Sequence, residues 1–157
     1  MSESSAAARA WVDVWQRAWT VGDAELLTPL YADDAVHYSL PFRERGRPQD
    51  YVAWVFGEQA EAECRFGEPI VEGDRAAVEW WGVITERDGT VETVAGTSHL
   101  RFGNDGRVIE QRDVWAARER CPVGTRPDRP TVEVRARPGA TLARRCGGTT
   151  SRRSAAR

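Results

Sequence analysis

Lysine is absent from this 157-residue chain, and all 22 of its basic side chains are arginine. Histidine occurs twice (His37, His99), and cysteine three times (Cys64, Cys121, Cys146). The cysteines form no CxxC pair and leave one unpaired, which excludes a zinc ribbon and a disulfide framework and points to a reducing compartment. No apolar run approaches the roughly 18 residues that a membrane helix requires. The opening residues, MSESSAAARAW, lack the basic-then-apolar order of a secretory signal. A cytoplasmic protein with no membrane association is therefore expected. No phosphate loop, nucleophile elbow or dinucleotide fingerprint is present, and no cofactor is expected.

What is present has the balance of a globular domain, with 41% apolar and 29% charged residues. The length suits one domain rather than two. Seven tryptophans are many for such a chain and must line a core or an apolar pocket. Charge is divided unevenly. The first 115 residues hold eleven arginines against 21 acids, a net of −10, whereas Ala116 to Arg157 holds eleven against three, a net of +8. Residues 118–157 are rich in Arg, Pro, Gly and Thr and poor in large apolar side chains. They are expected to form a disordered tail after a folded domain at 1–117. Without aromatics interleaved among its arginines, the tail has no platform for stacking bases, so no specific nucleic-acid partner is expected.

Periodicity divides the folded part in two. Trp11, Trp15, Ala18 and Trp19 share one helix face within residues 6–20. Gly22 suits the C-terminal turn and Asp23 the next N-cap. Leu26, Leu27, Leu30 and Tyr31 predict a short second helix. Ala35 to Leu40 reads as extended, and Pro48 opens a third helix with Tyr51, Val52, Val55 and Phe56 on its apolar face. After Gly57 the period becomes two. Arg65–Val71, Arg75–Glu86, Val91–Phe102 and Arg107–Trp115 read as strands, with hairpin turns at Asp88-Gly89 and Asn104-Asp105-Gly106. Helices first and an antiparallel meander afterwards predict an α+β fold, helices packed on one face of a curved sheet. The last strand carries "EQRDVW", Glu110 to Trp115, and alternation puts Gln111, Asp113 and Trp115 on the face opposite Val114.

Three stretches resemble the NTF2-like superfamily, and within it the SnoaL-like domain proteins of the polyketide-cyclase and nuclear-transport-factor type. They are "VGDAELLTPLYADDAVHY", "VEGDRAAVEWWGVI" and "LRFGNDGRVIEQRDVW". The resemblance covers about residues 6 to 117. It implies a cone in which a bent, mostly antiparallel sheet and three N-terminal helices enclose an apolar cavity, often with a homodimer formed through the sheet. It implies a small apolar or aromatic molecule as the partner. Function on such a fold has to be argued from the site. Matching the ketosteroid isomerases puts Trp15 at their tyrosine, Ser39 at their base and Ser98 at their second aspartate, so that chemistry is lost. Matching the limonene-type epoxide hydrolases puts Asp113 at their last-strand aspartate, but Glu79-Trp80-Trp81 does not match their Arg-x-Asp. Asp113 and His37 are chemical analogues of the Asp and His used by the polyketide cyclases.

The candidate catalytic residues are Asp113, Glu79 and His37. Asp113 reads as a general acid or base in an apolar cavity, or as the partner of an arginine. Glu79 shares the parity of Trp81 and reads as a second carboxylate beside Asp113, or as half of a cross-strand ion pair. His37 has the parity of Ser39 and reads as a proton relay or as a hydrogen-bonded wall residue. Opposite parity sends His99 to the other face, and no spacing suits metal ligands, so no metal is expected. Trp15, Trp19, Tyr38, Ser39, Trp54, Trp81, Ser98, Gln111 and Trp115 are the expected ligand-lining residues, the aromatics doubling as core. The conclusion from sequence is a small-molecule-binding domain. The alternatives are a cofactor-independent hydrolase, cyclase or isomerase using Asp113, or a non-catalytic dimerisation module.

Overall fold

The structure, a computed structural model, describes residues 2–119. Beyond Glu119, the expected tail lies outside the described residues. The elements run α1 (Glu3–Val21), a 3-10 helix (Ala24–Leu30), β1 (Tyr31–Tyr38), α2 (Pro48–Glu58), β2 (Gln59–Phe66), β3 (Ile70–Glu72), β4 (Arg75–Glu86), β5 (Val91–Phe102) and β6 (Val108–Glu119). This is the α+β class expected.

Local chemistry sets the helix ends. The Ser2 side chain accepts from the Ser5 backbone N–H at the start of α1. Gly22 ends α1 in the left-handed region at φ 69°, where a side chain would be strained, and its N–H returns to the carbonyls of Ala18 and Trp19. Asp23 then caps the next segment through Glu25 N–H. That segment departs from the expected helix. It is wound as a 3-10 helix with Pro29 inside, and it stops at Leu30. Tyr31 is therefore the first residue of β1, and it is buried.

One six-stranded sheet follows, in the order β1-β6-β5-β4-β2, with β3 also paired to β4. The expected strand Arg65–Val71 is two strands, because the chain breaks at Gly67 and re-pairs with the far end of β4. All pairings are antiparallel except that of β1 with β6, which is parallel. The meander is thus closed off by an N-terminal strand lying beside the C-terminal one. That crossing brings residues 31–38 to residues 108–112.

The core forms between the inner face of the sheet and the helices. Trp11, Trp15 and Trp19 of α1 pack ring against ring with Phe56 of α2, Phe66 of β2 and Trp80 of β4, at centroid separations of 5.4 to 6.5 Å. Each such ring contributes about 2–3 kcal/mol through burial, before entropy is subtracted. Gly96 makes room for this packing. A Cβ there would lie 2.5 Å from Cβ of Trp115 and 2.9 Å from Cζ2 of Trp80, its two neighbours across the sheet.

Candidate functional site

Three strands present one row of polar side chains to this aromatic interior, with β4 alongside. In the register, His37 of β1 lies opposite Gln111 of β6, Ser98 of β5 opposite Asp113 of β6, and Val78 of β4 opposite Ser98. His37, Ser98, Gln111 and Asp113 are all buried, none above 7% exposed. In the interior such groups are costly unless hydrogen-bonded.

They are hydrogen-bonded to one another, with Asp113 at the centre. Ser98 donates its hydroxyl to Oδ1 of Asp113 at 2.7 Å. The Gln111 amide nitrogen lies 3.0 Å from Oδ1 and 3.1 Å from Oδ2. Nε2 of His37 lies 2.6 Å from Oδ2. Two chains feed the carboxylate from further away. Trp80 donates its indole N–H to Ser98 at 2.9 Å. Trp11 and Trp15 donate theirs to the Tyr31 hydroxyl at 3.1 and 2.9 Å, and Tyr31 donates onward to Gln111 Oε1. Burial pushes the Tyr31 hydroxyl far above its ordinary range, so it remains a proton donor at any physiological pH.

A file of rings connects the network with the surface. Tyr51 of α2 stands edge-on to His37 at 4.8 Å, and Trp54, one helical turn on and 58% exposed, lies 6.1 Å from Tyr51. Burial, and secondarily the charge of Asp113, raise the Tyr51 hydroxyl above its usual range, while Arg43 opposes them. The segment after β1 is tied down on two sides. His37 and Gly46 exchange backbone hydrogen bonds, and the Trp115 indole donates to the Ser39 carbonyl at 2.6 Å. Among the described residues, no three His, Cys, Asp or Glu side chains gather into a metal-binding group. The exposed His99 points away from the network.

The structure brings together Asp113, His37, Gln111 and Ser98, with Trp15 joined through Tyr31, Trp19 in the aromatic cluster, and Ser39 buried alongside. It does not bring in Glu79 and Trp81. On β4 the buried side is Ala76, Val78, Trp80 and Ile84, and Glu79 is exposed on the other face. Trp81 shares that outer face, so Trp80 takes the inner place expected for it. The charged Glu79 at that parity was the available signal. Tyr38 also faces outward, with the Arg112 guanidinium 4.5 Å above its ring. Trp54 stands at the surface end of the ring file rather than in the interior wall. Tyr31, Tyr51, Trp11 and Trp80 were not singled out as site residues. Tyr31 was hidden by the helical spacing Leu27-Leu30-Tyr31, and Tyr51 looked like ordinary helix core.

The SnoaL-like domain family matches residues 8–111, a span that includes His37 and Gln111 and stops just short of Asp113. No curated protein matches the chain. Among solved structures, an NTF2-like protein from Exiguobacterium sp. 255-15 is 19% identical with a TM-score of 0.58, over 70% of this chain and 98% of that one. SalBIII, an epoxide hydrolase/cyclase-like enzyme of pyran ring formation in the polyether salinomycin, is 16% identical with a TM-score of 0.59, over 69% and 89%. A protein of ketosteroid isomerase-like fold from Catenulispora acidiphila, solved with trimethylamine, is 17% identical with a TM-score of 0.57, over 65% and 82%. At such identities these likenesses establish the fold alone. The family match spans well over half of the sequence, and with the element order and sheet topology above it makes this chain a member of the SnoaL-like domain family, with an NTF2-like fold.

Proposed function

We propose that the domain binds a small apolar or aromatic molecule and moves a proton on it without a cofactor, in a reaction of the hydrolase, cyclase or isomerase type. The observation that carries this reading is the 2.6 Å contact between His37 Nε2 and Asp113 Oδ2, buried beside the apolar core. A buried ionisable pair adds little to stability that apolar residues of similar volume would not supply. Groups of this kind in an apolar setting are the usual instruments of acid–base chemistry.

The roles follow from the hydrogen bonds. Asp113 accepts from Ser98 and Gln111 and lies against His37 Nε2, which suits it to orient the imidazole. His37 is then the proton carrier, acting through Nδ1, which has no hydrogen-bond partner among the described residues. Trp54 and Tyr51 offer the incoming molecule aromatic faces on the way to the imidazole. The kinship in fold with SalBIII makes epoxides and polyketide-like compounds the first substrates to try.

The test is a panel of such compounds, screened for turnover and for ligand-induced thermal shift, with wild type and His37→Gln. The expected outcome is turnover in the wild type that is lost in His37→Gln, while the thermal shift is kept. Undiminished turnover in His37→Gln would sink the catalytic role. Thermal shift without turnover in the wild type would leave a binding domain. Neither signal would favour a dimerisation module, for which Val114, 53% exposed on the outer face of the sheet, offers an apolar contact.

A further inference from the structure

The tryptophans have a second use besides filling the core. An indole nitrogen can only donate a hydrogen bond, a hydroxyl has one proton to give and two sites to accept, and an amide has a donor end and an acceptor end. The Tyr31 hydroxyl receives two indole protons, from Trp11 at 3.1 Å and from Trp15 at 2.9 Å. Both of its accepting sites are thereby filled, and only its own proton remains for Gln111. A proton must meet the amide oxygen, so the Gln111 NH2 group is turned toward Asp113, at 3.0 and 3.1 Å from its two oxygens. A reversed amide would set its NH2 against the Tyr31 proton, donor to donor, and its oxygen against the carboxylate, acceptor to acceptor, both unfavourable in a buried site.

We infer that Tyr31, locked by Trp11 and Trp15, is a positioning residue that acts through the Gln111 amide to keep both Asp113 oxygens accepting and His37 in the tautomer protonated at Nε2. This deepens the proton-transfer reading above and rests on it for its purpose, since a histidine so held keeps Nδ1 as the accepting nitrogen. Direction runs one way along the whole chain, from indole to hydroxyl to amide to carboxylate. With Ser98 also donating, the Asp113 oxygens face donors from two sides. The third neighbour, Nε2 of His37, is then required to be a donor as well. The tautomer of one imidazole is thus set by residues on α1 that never touch it.

The experiment is nitrogen-15 NMR of the histidine side chains in the full chain at neutral pH, without any ligand. Only two histidines are present, and His99 is identified by its loss in His99→Gln. In the wild type, His37 is expected as a single species protonated at Nε2. A His37 bare at Nε2 and protonated at Nδ1 would overturn the inference, and this measurement needs no variant to fold. In Tyr31→Phe the amide is released, and a second species protonated at Nδ1 is expected to account for a substantial share of His37. Trp19→Phe is the control, because Trp19 sits in the same aromatic cluster but its indole nitrogen has no partner among the described residues. It is expected to lower the thermal midpoint and leave the His37 spectrum unchanged. A folded Tyr31→Phe whose His37 spectrum matches wild type, or a Trp19→Phe that shifts it equally, would remove Tyr31 from this role. None of these readings uses turnover, so a failed inference here and a failed catalytic reading are told apart.

Discussion

The two faces of β6 carry carboxylates three residues apart that have little else in common. Glu110 points outward and meets Arg112 at 2.6 Å, with the arginine 56% and the glutamate 32% exposed. Asp113 points inward, accepts from Ser98 and Gln111, and contacts His37 at the same 2.6 Å. Distance alone would rank them equal, but their surroundings do not. Outside, water solvates either partner once the pair opens, so the pair adds little. Inside, no water replaces a lost partner, and every donor left over has to be left unsatisfied. A contact on this sheet is therefore worth what its replacement would cost.

The largest effect that would sharpen this contrast is expected from Asp113→Asn. Asn keeps the shape but turns one oxygen into an amide NH2 that faces other donors, at a cost of about 3 kcal/mol. Chemical denaturation would show it, and a loss below about 1 kcal/mol would mean that the buried network is loosely held. Somewhat smaller is Gly96→Ala, which adds one methyl to the inner face. That methyl would sit 2.5 Å from Cβ of Trp115 and 2.6 Å from the Val114 carbonyl. Overpacking of this kind costs about 2 kcal/mol. A neutral result in the same denaturation series would mean that the two indoles are free to move apart. The smallest is Glu110→Ala on the outer face, expected at under about 0.5 kcal/mol and weaker still at high salt. If it matched Asp113→Asn, the contrast between the faces would fail.

Much of this arrangement was legible beforehand, and what was missed has particular causes. Alternation set Gln111, Asp113 and Trp115 on the face opposite Val114, and in the structure Gln111 and Asp113 are buried while Val114 is exposed. For His37, Ser39 and Ser98 the resemblance to the isomerases supplied the inward side, and all three are buried. Adjacent Trp80 and Trp81 are equally apolar, so the pair itself states no parity, and the choice of Trp81 drew Glu79 with it to the wrong face. Ala76, Val78 and Ile84 carried the answer in a longer window. Tyr31 was misread because a 3-10 helix capped by Asp23 and holding Pro29 ends a residue earlier than the apolar spacing suggests. No spacing rule relates Tyr31 to Gln111, eighty residues later in the chain.

Local sequence was enough for the fold class, the caps at Gly22 and Asp23, the hairpin turns and the face that Asp113 shares with Gln111. These depend on neighbours within a few residues, where backbone geometry, side-chain alternation and turn chemistry act directly. The return of β1 to lie parallel to β6 is visible only in the folded chain. That pairing alone puts His37 against Asp113 and Tyr31 against Gln111. Strand order across long separations is settled by which apolar faces can be buried together, a property of the whole chain that no local pattern records.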